Sequence, residues 1–307
     1  ESLGQWGPSM GEDSYRRQNL GYYAHLVSET GGWSGNIGLR FDDNEQYGGF
    51  VTYQAGLSYS IPAFGTRFRG TLGRGLKEPT FLETNSSGFS VGNPDLNPER
   101  SQVWDMGIEQ SFGRSGATAS VTWFNQSLRY LIQYTYMPSD PTDPNYFNVA
   151  EAMAQGLEVS LAGPVGDLKL SGAYTYLDSK VLDSGFDEGE GAVFVEGEPL
   201  IRRPTHMASL SALYPLSRAV LSGDLRWKGT RTDRDFSAWP ASPVELSSYA
   251  LLGLGLEVAA FESKGGRPGM DLQFRAENLL DRDYEEMFGF VAPGRTILVG
   301  ARMNFGG

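Results

Sequence analysis

The feature that most constrains this chain is a two-residue alternation of apolar and polar side chains, which runs through almost all of its 307 residues. In one such stretch, Val51, Tyr53 and Leu57 fall on one face of an extended segment, whereas Thr52 and Gln54 fall on the other. Successive side chains of a β-strand point to opposite faces, so this period predicts strands. We find no segment with the period of a helix, and "GRGLKEPT" at 73–80 carries no helix signal after its glycines.

The alternation divides into about thirteen predicted strands, each bounded by residues typical of turns. Their approximate limits are 17–29, 33–42, 50–61, 66–74, 101–112, 117–134, 148–162, 167–178, 205–214, 218–229, 246–259, 270–280 and 294–305.

Short and long connections alternate between these strands. The short ones contain "TGGW", "PAFG", "GRSG", "GPVG", "PLSR" and a somewhat longer "FESKGGRPG". Strict alternation predicts an antiparallel meander with every long connection on the same end, which is typical of outer-membrane barrels. The long connections are 43–49, 75–100, 135–147, 179–204, 230–245 and 281–293.

Composition narrows the class of protein. Forty glycines, 12% aromatic and 20% charged residues favour an all-β chain with many turns. A formal charge of −12 argues against nucleic acid as a partner. The chain has no cysteine and no apolar run long enough for a transmembrane helix. The pattern leaves two alternatives open, a membrane β-barrel and a soluble all-β fold such as a propeller or a sandwich.

The segment "GNPDLNPERS" at 92–101, followed by "WDMGIEQ", resembles the approach to a barrel strand in TonB-dependent outer-membrane receptors of the cobalamin and siderophore type. Pro94 and Pro98 stiffen this loop, and we expect it to set the register of the strand. Glu99 and Arg100 are expected to pair with the tops of neighbouring strands. Other segments along the chain also resemble elements of these receptors, and they occur in the same order as in the family. They are 38–44, 73–81, 123–134, 154–163, 171–179, 202–210 and 276–305.

The resemblance implies an all-β, antiparallel transmembrane β-barrel of 22 strands, closed by an N-terminal plug. About thirteen strands in residues 1–307 would be the C-terminal portion of that barrel, and nothing in the chain resembles the plug. The implied partners are outer-membrane lipid, the plug and remaining strands on the same or a separate chain, the TonB system acting through the plug, and a metal chelate or cobalamin-like ligand. The implied function is TonB-dependent uptake of a scarce nutrient such as a ferric siderophore or cobalamin. The alternative is a structural barrel, derived from such a receptor, that serves an outer-membrane assembly without transport.

Candidate site residues follow from the predicted ends and faces of the strands. Aromatic residues in the long loops could contact a bulky ligand or pack the loops together: Phe81, Phe89, Tyr146, Phe236, Trp239 and Phe288. Arginines on the polar faces are expected to face the lumen and the plug, and many should pair with acidic neighbours across strands. These are Arg40, Arg67, Arg69, Arg226, Arg275 and Arg302. The terminal aromatic residue, Phe305, matches the family's assembly signal.

Catalytic and metal chemistry find little support. His25 and His206 are the only histidines and lie in separate predicted strands, and no nucleophile-elbow, zinc-protease or P-loop motif occurs. The acidic loop 182–198 lacks the spacing of a calcium loop, so we interpret it as a solvated negative segment. We therefore expect no enzyme, no resident metal and no cofactor.

Overall fold

A computed structural model describes residues 2–3, 15–88, 90–135, 138, 142–185, 192–237, 240–263 and 268–305. Its main element is one sheet of thirteen strands, in which each strand pairs with its neighbours along the chain. The strands are β1 (Asn19–Thr30), β2 (Trp33–Asn44), β3 (Gly48–Ile61), β4 (Thr66–Lys77), β5 (Glu99–Phe112), β6 (Ala117–Tyr134), β7 (Tyr146–Val165), β8 (Leu168–Asp183), β9 (His206–Pro215), β10 (Ala219–Lys228), β11 (Tyr249–Phe261), β12 (Gly269–Glu277) and β13 (Thr296–Asn304).

All pairs in the sheet are antiparallel, so the predicted all-β meander is confirmed. Within the described residues the sheet is open, since β1 and β13 each pair on one side only. No helix in the described part of the chain is long and apolar enough to cross a membrane.

The pairing register gives the sheet two chemically different faces. Directly opposed residues point to the same side of a sheet, and Leu39 lies opposite Tyr53, while Arg40 lies opposite Thr52. Following this register from strand to strand separates an apolar face from a polar face that carries most of the charged pairs. Large apolar side chains such as Leu26, Ile297 and Val299 are about 70% exposed on the first face. We call these the outward and the inward face.

The long connections lie together at one end of the sheet, as predicted, and the short ones lie at the other. One prediction was wrong: residues 43–49 do not form a long loop. Asp43 pairs with Gly49 and Asn44 with Gly48, so that only 45–47 remain as a turn. Two other long connections contain hairpins of their own, Arg231–Asp235 with Ser242–Leu246 and Glu285–Met287 with Phe290–Val291.

The expectation of no helix was also wrong. A five-residue helix, α1 (Phe81–Asn85), begins directly after "GRGLKEPT". Thr80 and Glu83 form a capping box, in which the Thr80 hydroxyl accepts from the Glu83 N–H at 3.3 Å and the Glu83 carboxylate accepts from the Thr80 N–H at 2.6 Å. A helix this short shows no apolar period, so its capping residues are the local sequence signal that indicates it.

The buried apolar residues of the described chain are found at the long-loop end rather than between layers of sheet. They include Phe81, Leu96, Phe147, Val181 and Leu246. The wall therefore has no core of its own, and packing is concentrated where the loops meet the strands.

Candidate functional site

The candidate site is the layer of long loops above β4 to β13, together with the inward face of the wall below it. Five connections contribute: 78–98, 135–145, 184–205, 229–248 and 278–295. Hydrogen bonds divide these loops into two groups that are held in chemically different ways.

The first group is held by four asparagines, Asn93, Asn97, Asn145 and Asn148, which we call the asparagine cluster. Asn145 is 5% exposed. Its side chain accepts from the Val91 N–H at 2.6 Å and donates to the Thr135 carbonyl at 2.9 Å. A neutral amide thus joins loop 78–98 to loop 135–145.

The other members extend this junction. Asn93 donates to the Tyr146 carbonyl at 2.9 Å. Asn148 accepts from the Asn97 N–H at 2.8 Å and donates to the carbonyls of Asn97 and Tyr130, at 3.0 and 2.6 Å. The asparagines of "GNPDLNPE" therefore fasten the loop to the start of β7.

Helix α1 is braced from below by Arg17. The guanidinium donates to the Pro79 carbonyl at 2.9 Å, pairs with Glu78 at 3.0 Å and lies 5.1 Å from the centre of the Phe81 ring. Phe81 is only 9% exposed, so its ring packs the loop. Burial raises the pKa of the nearby Tyr47 phenol, against the opposing effect of the Arg17 charge.

The second group of loops is held by Arg202, Arg231, Asp233 and Glu286, which we call the charged cluster. Asp233 is 1% exposed. It accepts from Arg202 Nε, from the Arg234 N–H and from the Phe288 N–H, each at 2.8 Å. One carboxylate therefore joins loops 184–205, 229–248 and 278–295.

Glu286 completes this cluster. It accepts hydrogen bonds from Lys228 Nζ at 2.8 Å and from the Tyr249 hydroxyl. Arg231, which is 4% exposed, donates to the Glu285 carbonyl and lies 5.4 Å from the centre of the Tyr249 ring. Although partial burial works to raise it, the hydrogen bonds from Lys228 and Tyr249 and the neighbouring charges lower the pKa of Glu286.

The inward face carries the six predicted arginines, all placed on that face by the register. The expected pairing across strands is observed for Arg67, Arg69, Arg275 and Arg302, whereas Arg40 and Arg226 pair with a carboxylate on their own strand. Arg40 contacts Asp42 (2.6 Å), Arg67 contacts Glu109 (3.5 Å), Arg69 contacts Glu109 (3.2 Å) and Asp105 (3.4 Å), Arg226 contacts Asp224 (3.7 Å), Arg275 contacts Glu277 (2.8 Å) and Asp224 (3.3 Å), and Arg302 contacts Glu257 (3.8 Å).

Pairing near the strand tops also occurs, though not for both predicted residues. Glu99 pairs with Lys77 at 3.0 Å and accepts from the Ile132 N–H at 2.9 Å. Arg100 instead lies 5.3 Å from the centre of the Tyr130 ring.

The predicted aromatic residues occupy different environments. Phe236 is 55% exposed and Phe288 is 36% exposed, both in the charged half of the loop layer. Tyr146 packs against Tyr134 with ring centres 5.2 Å apart. Phe89 and Trp239 lie outside the described residues. Phe305 follows β13 at the short-turn end and is 79% exposed.

Sequence reasoning missed the residues that hold the loops. Asn145, Arg202 and Asp233 each bond partners distant along the chain, and no local pattern identifies them. The exception is the Thr80 and Glu83 capping box, whose T-x-x-E spacing is visible in the sequence.

An antiparallel meander with one apolar and one charged face, and with its long loops at one end, has the features of an outer-membrane β-barrel wall. A family model described as "TonB dependent receptor-like, beta-barrel" matches residues 1–279. The chain therefore belongs to the TonB-dependent receptor β-barrel family, which comprises outer-membrane receptors and transporters rather than enzymes.

Solved structures agree on the fold. The chain is similar to a variant of the ferric enterobactin receptor PfeA of Pseudomonas aeruginosa, with TM-score 0.74 and 20% identity over 98% of this chain and 47% of that one. It is also similar to the siderophore receptor PirA of Acinetobacter baumannii, with TM-score 0.72 and 18% identity over 94% of this chain and 46% of that one. For the ferric-catecholate import receptor Fiu of Escherichia coli K12, the TM-score is 0.71 and the identity is 17% over 94% of this chain and 45% of that one. The chain thus spans about half the length of these receptors.

Proposed function

We propose that this chain forms barrel wall and external loops of a TonB-dependent outer-membrane receptor that imports a ferric siderophore. The observation that carries the proposal is the loop layer, in which the long connections lie at one end of the sheet and the buried side chains of Asn145 and Asp233 join neighbouring loops by hydrogen bonds. Loops held on a rigid scaffold are a common way to build a binding surface.

The two faces of the wall support the membrane setting. The outward face exposes aliphatic and aromatic side chains, as a lipid-facing wall does, and the inward face is lined by charged pairs, as a polar lumen is. Trp33 and Tyr59 pack with ring centres 4.5 Å apart at the short-turn end of the outward face, and Tyr174 and Tyr176 lie towards the loop end. Aromatic residues at both ends suit the two membrane interfaces.

Iron chelates are the favoured ligand class because the similar solved receptors are described as receptors for ferric enterobactin, ferric catecholates and siderophores. Cobalamin is the competing ligand for this type of receptor. Phe236 and Phe288 offer exposed rings in the loop layer for a bulky chelate, and Phe89, Tyr146 and Trp239 are further candidates by sequence.

Gating would come from an N-terminal plug driven by the TonB system, with Arg40, Arg67, Arg69, Arg226, Arg275 and Arg302 lining the lumen around it. Phe305 would serve as the assembly signal.

The test uses the complete receptor that contains this chain, expressed in a host that lacks its own siderophore receptors. We expect uptake of radioactive iron from a ferric catecholate when TonB is present and none when TonB is deleted. Excess cobalamin should leave that uptake unchanged. Uptake that is independent of TonB, or radiolabelled cobalamin taken up in place of iron, would contradict the proposal.

A variant pair locates the ligand. Phe236→Ala with Phe288→Ala should weaken chelate binding by about tenfold, since aromatic anchors contribute on the order of 1–2 kcal/mol. The control is Phe64→Ala, because Phe64 is 74% exposed in the short turn at the opposite end. Phe64→Ala should leave chelate binding unchanged. If it weakens binding as much as the double variant does, the loops are not the binding site.

A further inference from the structure

Three arginines stand together on the outward face of the wall near its loop end: Arg74 on β4, Arg100 on β5 and Arg129 on β6. Arg100 lies directly opposite Arg129. Arg74 lies opposite Gln102, which makes it the diagonal neighbour of Arg100. All three side chains are exposed. We call them the arginine triad.

This arrangement is unfavourable without a counter-charge, because like charges directly opposite each other destabilise a sheet. The described residues compensate it only in part. Arg129 pairs with Glu151 at 2.5 Å, and Arg100 lies 5.3 Å from the centre of the Tyr130 ring. Arg74 makes no hydrogen bond or ion pair within the described part of the chain. Three cations therefore share one carboxylate.

The triad borders a groove suited to a small anionic group. Its volume is about 280 Å³, and Gln102 and Ser127 add polar side chains to the lining, while Tyr53 and Tyr130 add aromatic rings. Guanidinium groups bind phosphate through paired, charge-assisted hydrogen bonds, so a phosphate can bridge two of them.

The height of the triad on the wall indicates where such a phosphate would come from. Leu72 and Trp104 lie opposite each other on the same face, on the side of the short turns, and Met106 and Trp123 follow in the next row. The triad thus lies between an apolar band and the long loops. In a membrane wall this is the level of the lipid headgroups, where arginine is tolerated and phosphate is abundant.

We propose that the arginine triad binds the phosphate groups of an anionic lipid in the outer leaflet, with Gln102 and Ser127 as additional hydrogen-bonding groups. The inference depends on the proposed function only for the placement of the wall in the membrane, and it is independent of which nutrient is imported. The bound lipid supplies negative charge in addition to the single carboxylate of Glu151.

The first experiment measures lipid binding by native mass spectrometry of the complete receptor in a neutral detergent, with lipid A that carries two phosphates as the probe. Replacing the triad by glutamine (R74Q, R100Q, R129Q) should weaken binding by at least about tenfold. The matched control removes the same charge from exposed arginines elsewhere (R203Q, R218Q, R282Q) and should bind like the original protein. Dephosphorylated lipid should bind weakly to all three proteins.

Two further measurements test whether the bound phosphate belongs to a lipid and whether paired hydrogen bonds from arginine are needed. Inorganic phosphate in about 100-fold excess should not displace the lipid, and displacement would make the triad a site for free anions. Lysine replacements (R74K, R100K, R129K) keep the charge but lose paired hydrogen bonding, and should bind at an intermediate level. Heat-modifiable migration on a gel verifies that each variant is folded.

A reversal of sign provides the sharpest test. R100Q removes the Arg100–Arg129 repulsion, so it should raise thermal stability in neutral detergent and lower it in vesicles that contain lipid A. The same sign in both media, or unchanged lipid binding by the glutamine triple variant, would overturn the inference. Iron uptake by the original receptor is measured in parallel. If that receptor shows no TonB-dependent uptake, while the glutamine triple variant still loses lipid binding, the proposed function is refuted and the lipid site is retained.

Discussion

The two halves of the loop layer do the same structural task with different chemistry. Near β5 to β7, the asparagine cluster joins the loops through neutral amides. Near β9 to β13, the charged cluster joins them through the buried carboxylate of Asp233 and its arginine and amide partners. Amides keep their state at any ordinary pH, whereas carboxylates and their ion pairs respond to protons and salt. The charged half is therefore the half in which the contacts between loops can be loosened by solution conditions. In the neutral half, the Arg17–Glu78 ion pair holds α1 but does not join one long loop to another.

The largest contrast is expected from Asp233→Ala. This change leaves the Arg202 guanidinium, whose side chain is 30% exposed, and the N–H groups of Arg234 and Phe288 without their acceptor. Breaking a fully buried pair costs about 3–5 kcal/mol, and the partial exposure of Arg202 should hold the cost here to about 3 kcal/mol. We expect amide exchange at Arg234 and Phe288 to accelerate strongly, together with proteolysis in loops 184–205, 229–248 and 278–295.

Asp233→Asn separates charge from geometry. The amide keeps one oxygen as an acceptor and loses the ionic attraction, so its exchange rates should lie between those of the original protein and the alanine variant. Exchange at Val91, in the asparagine cluster, should be unaffected by either change. If exchange at Val91 rises as much as exchange at Arg234 and Phe288, the two halves unfold as one unit and the contrast between them is refuted.

The next effect in size is that of Asn145→Ala, the corresponding change in the neutral half. It removes the acceptor of the Val91 N–H and the donor to the Thr135 carbonyl, at a cost of about 2 kcal/mol. Amide exchange at Val91 should accelerate by a similar factor at low and at high salt. A strong salt dependence would show that charges, and not amides, hold this half.

These long-range contacts explain what the sequence predicts and what it does not. The thirteen strands follow from alternation, because each strand needs one apolar and one polar face and this requirement is local. Asn145 and Val91 are 54 residues apart, and Asp233 and Phe288 are 55 apart, so their pairing depends on which loops the meander brings together. The sequence places the loops at one end but does not say which polar residues join them.

Local signals can also mislead. The stretch 43–49 is polar and rich in glycine, which indicates a loop, yet Asp43 and Asn44 continue the ladder of β2 opposite Gly49 and Gly48. Strand pairing satisfies the backbone regardless of side-chain polarity, so the strands run on to a tight turn. The face on which an arginine lies can, in contrast, be predicted from the sequence, because the alternation of side chains along a strand is a local property.

Helix α1 offers a smaller test within the neutral half. Thr80→Ala removes the hydroxyl that caps the Glu83 N–H, and loss of such a cap costs about 1 kcal/mol. We expect faster exchange at Glu83 and little change at Val91. Thr80→Ser is the control, since it keeps the hydroxyl and should restore protection. No difference between alanine and serine would show that Arg17 and the Phe81 ring hold the helix without the cap.

The smallest expected effect is the pH response of Glu286, and it bears directly on the difference between the halves. Its pKa lies below the ordinary value of about 4.3. A depressed pKa means that the folded loops favour the carboxylate, so the stabilisation is present above about pH 4.3 and is lost as pH falls through the lower folded pKa. Because the Glu286 side chain is 52% exposed, the effect should stay below about 1 kcal/mol and weaken in high salt. Proteolysis of loop 278–295 should therefore increase modestly on acidification, relative to loop 78–98. In Glu286→Gln that increase should disappear, and an acid response that survives this change would have to come from another carboxylate of the charged half.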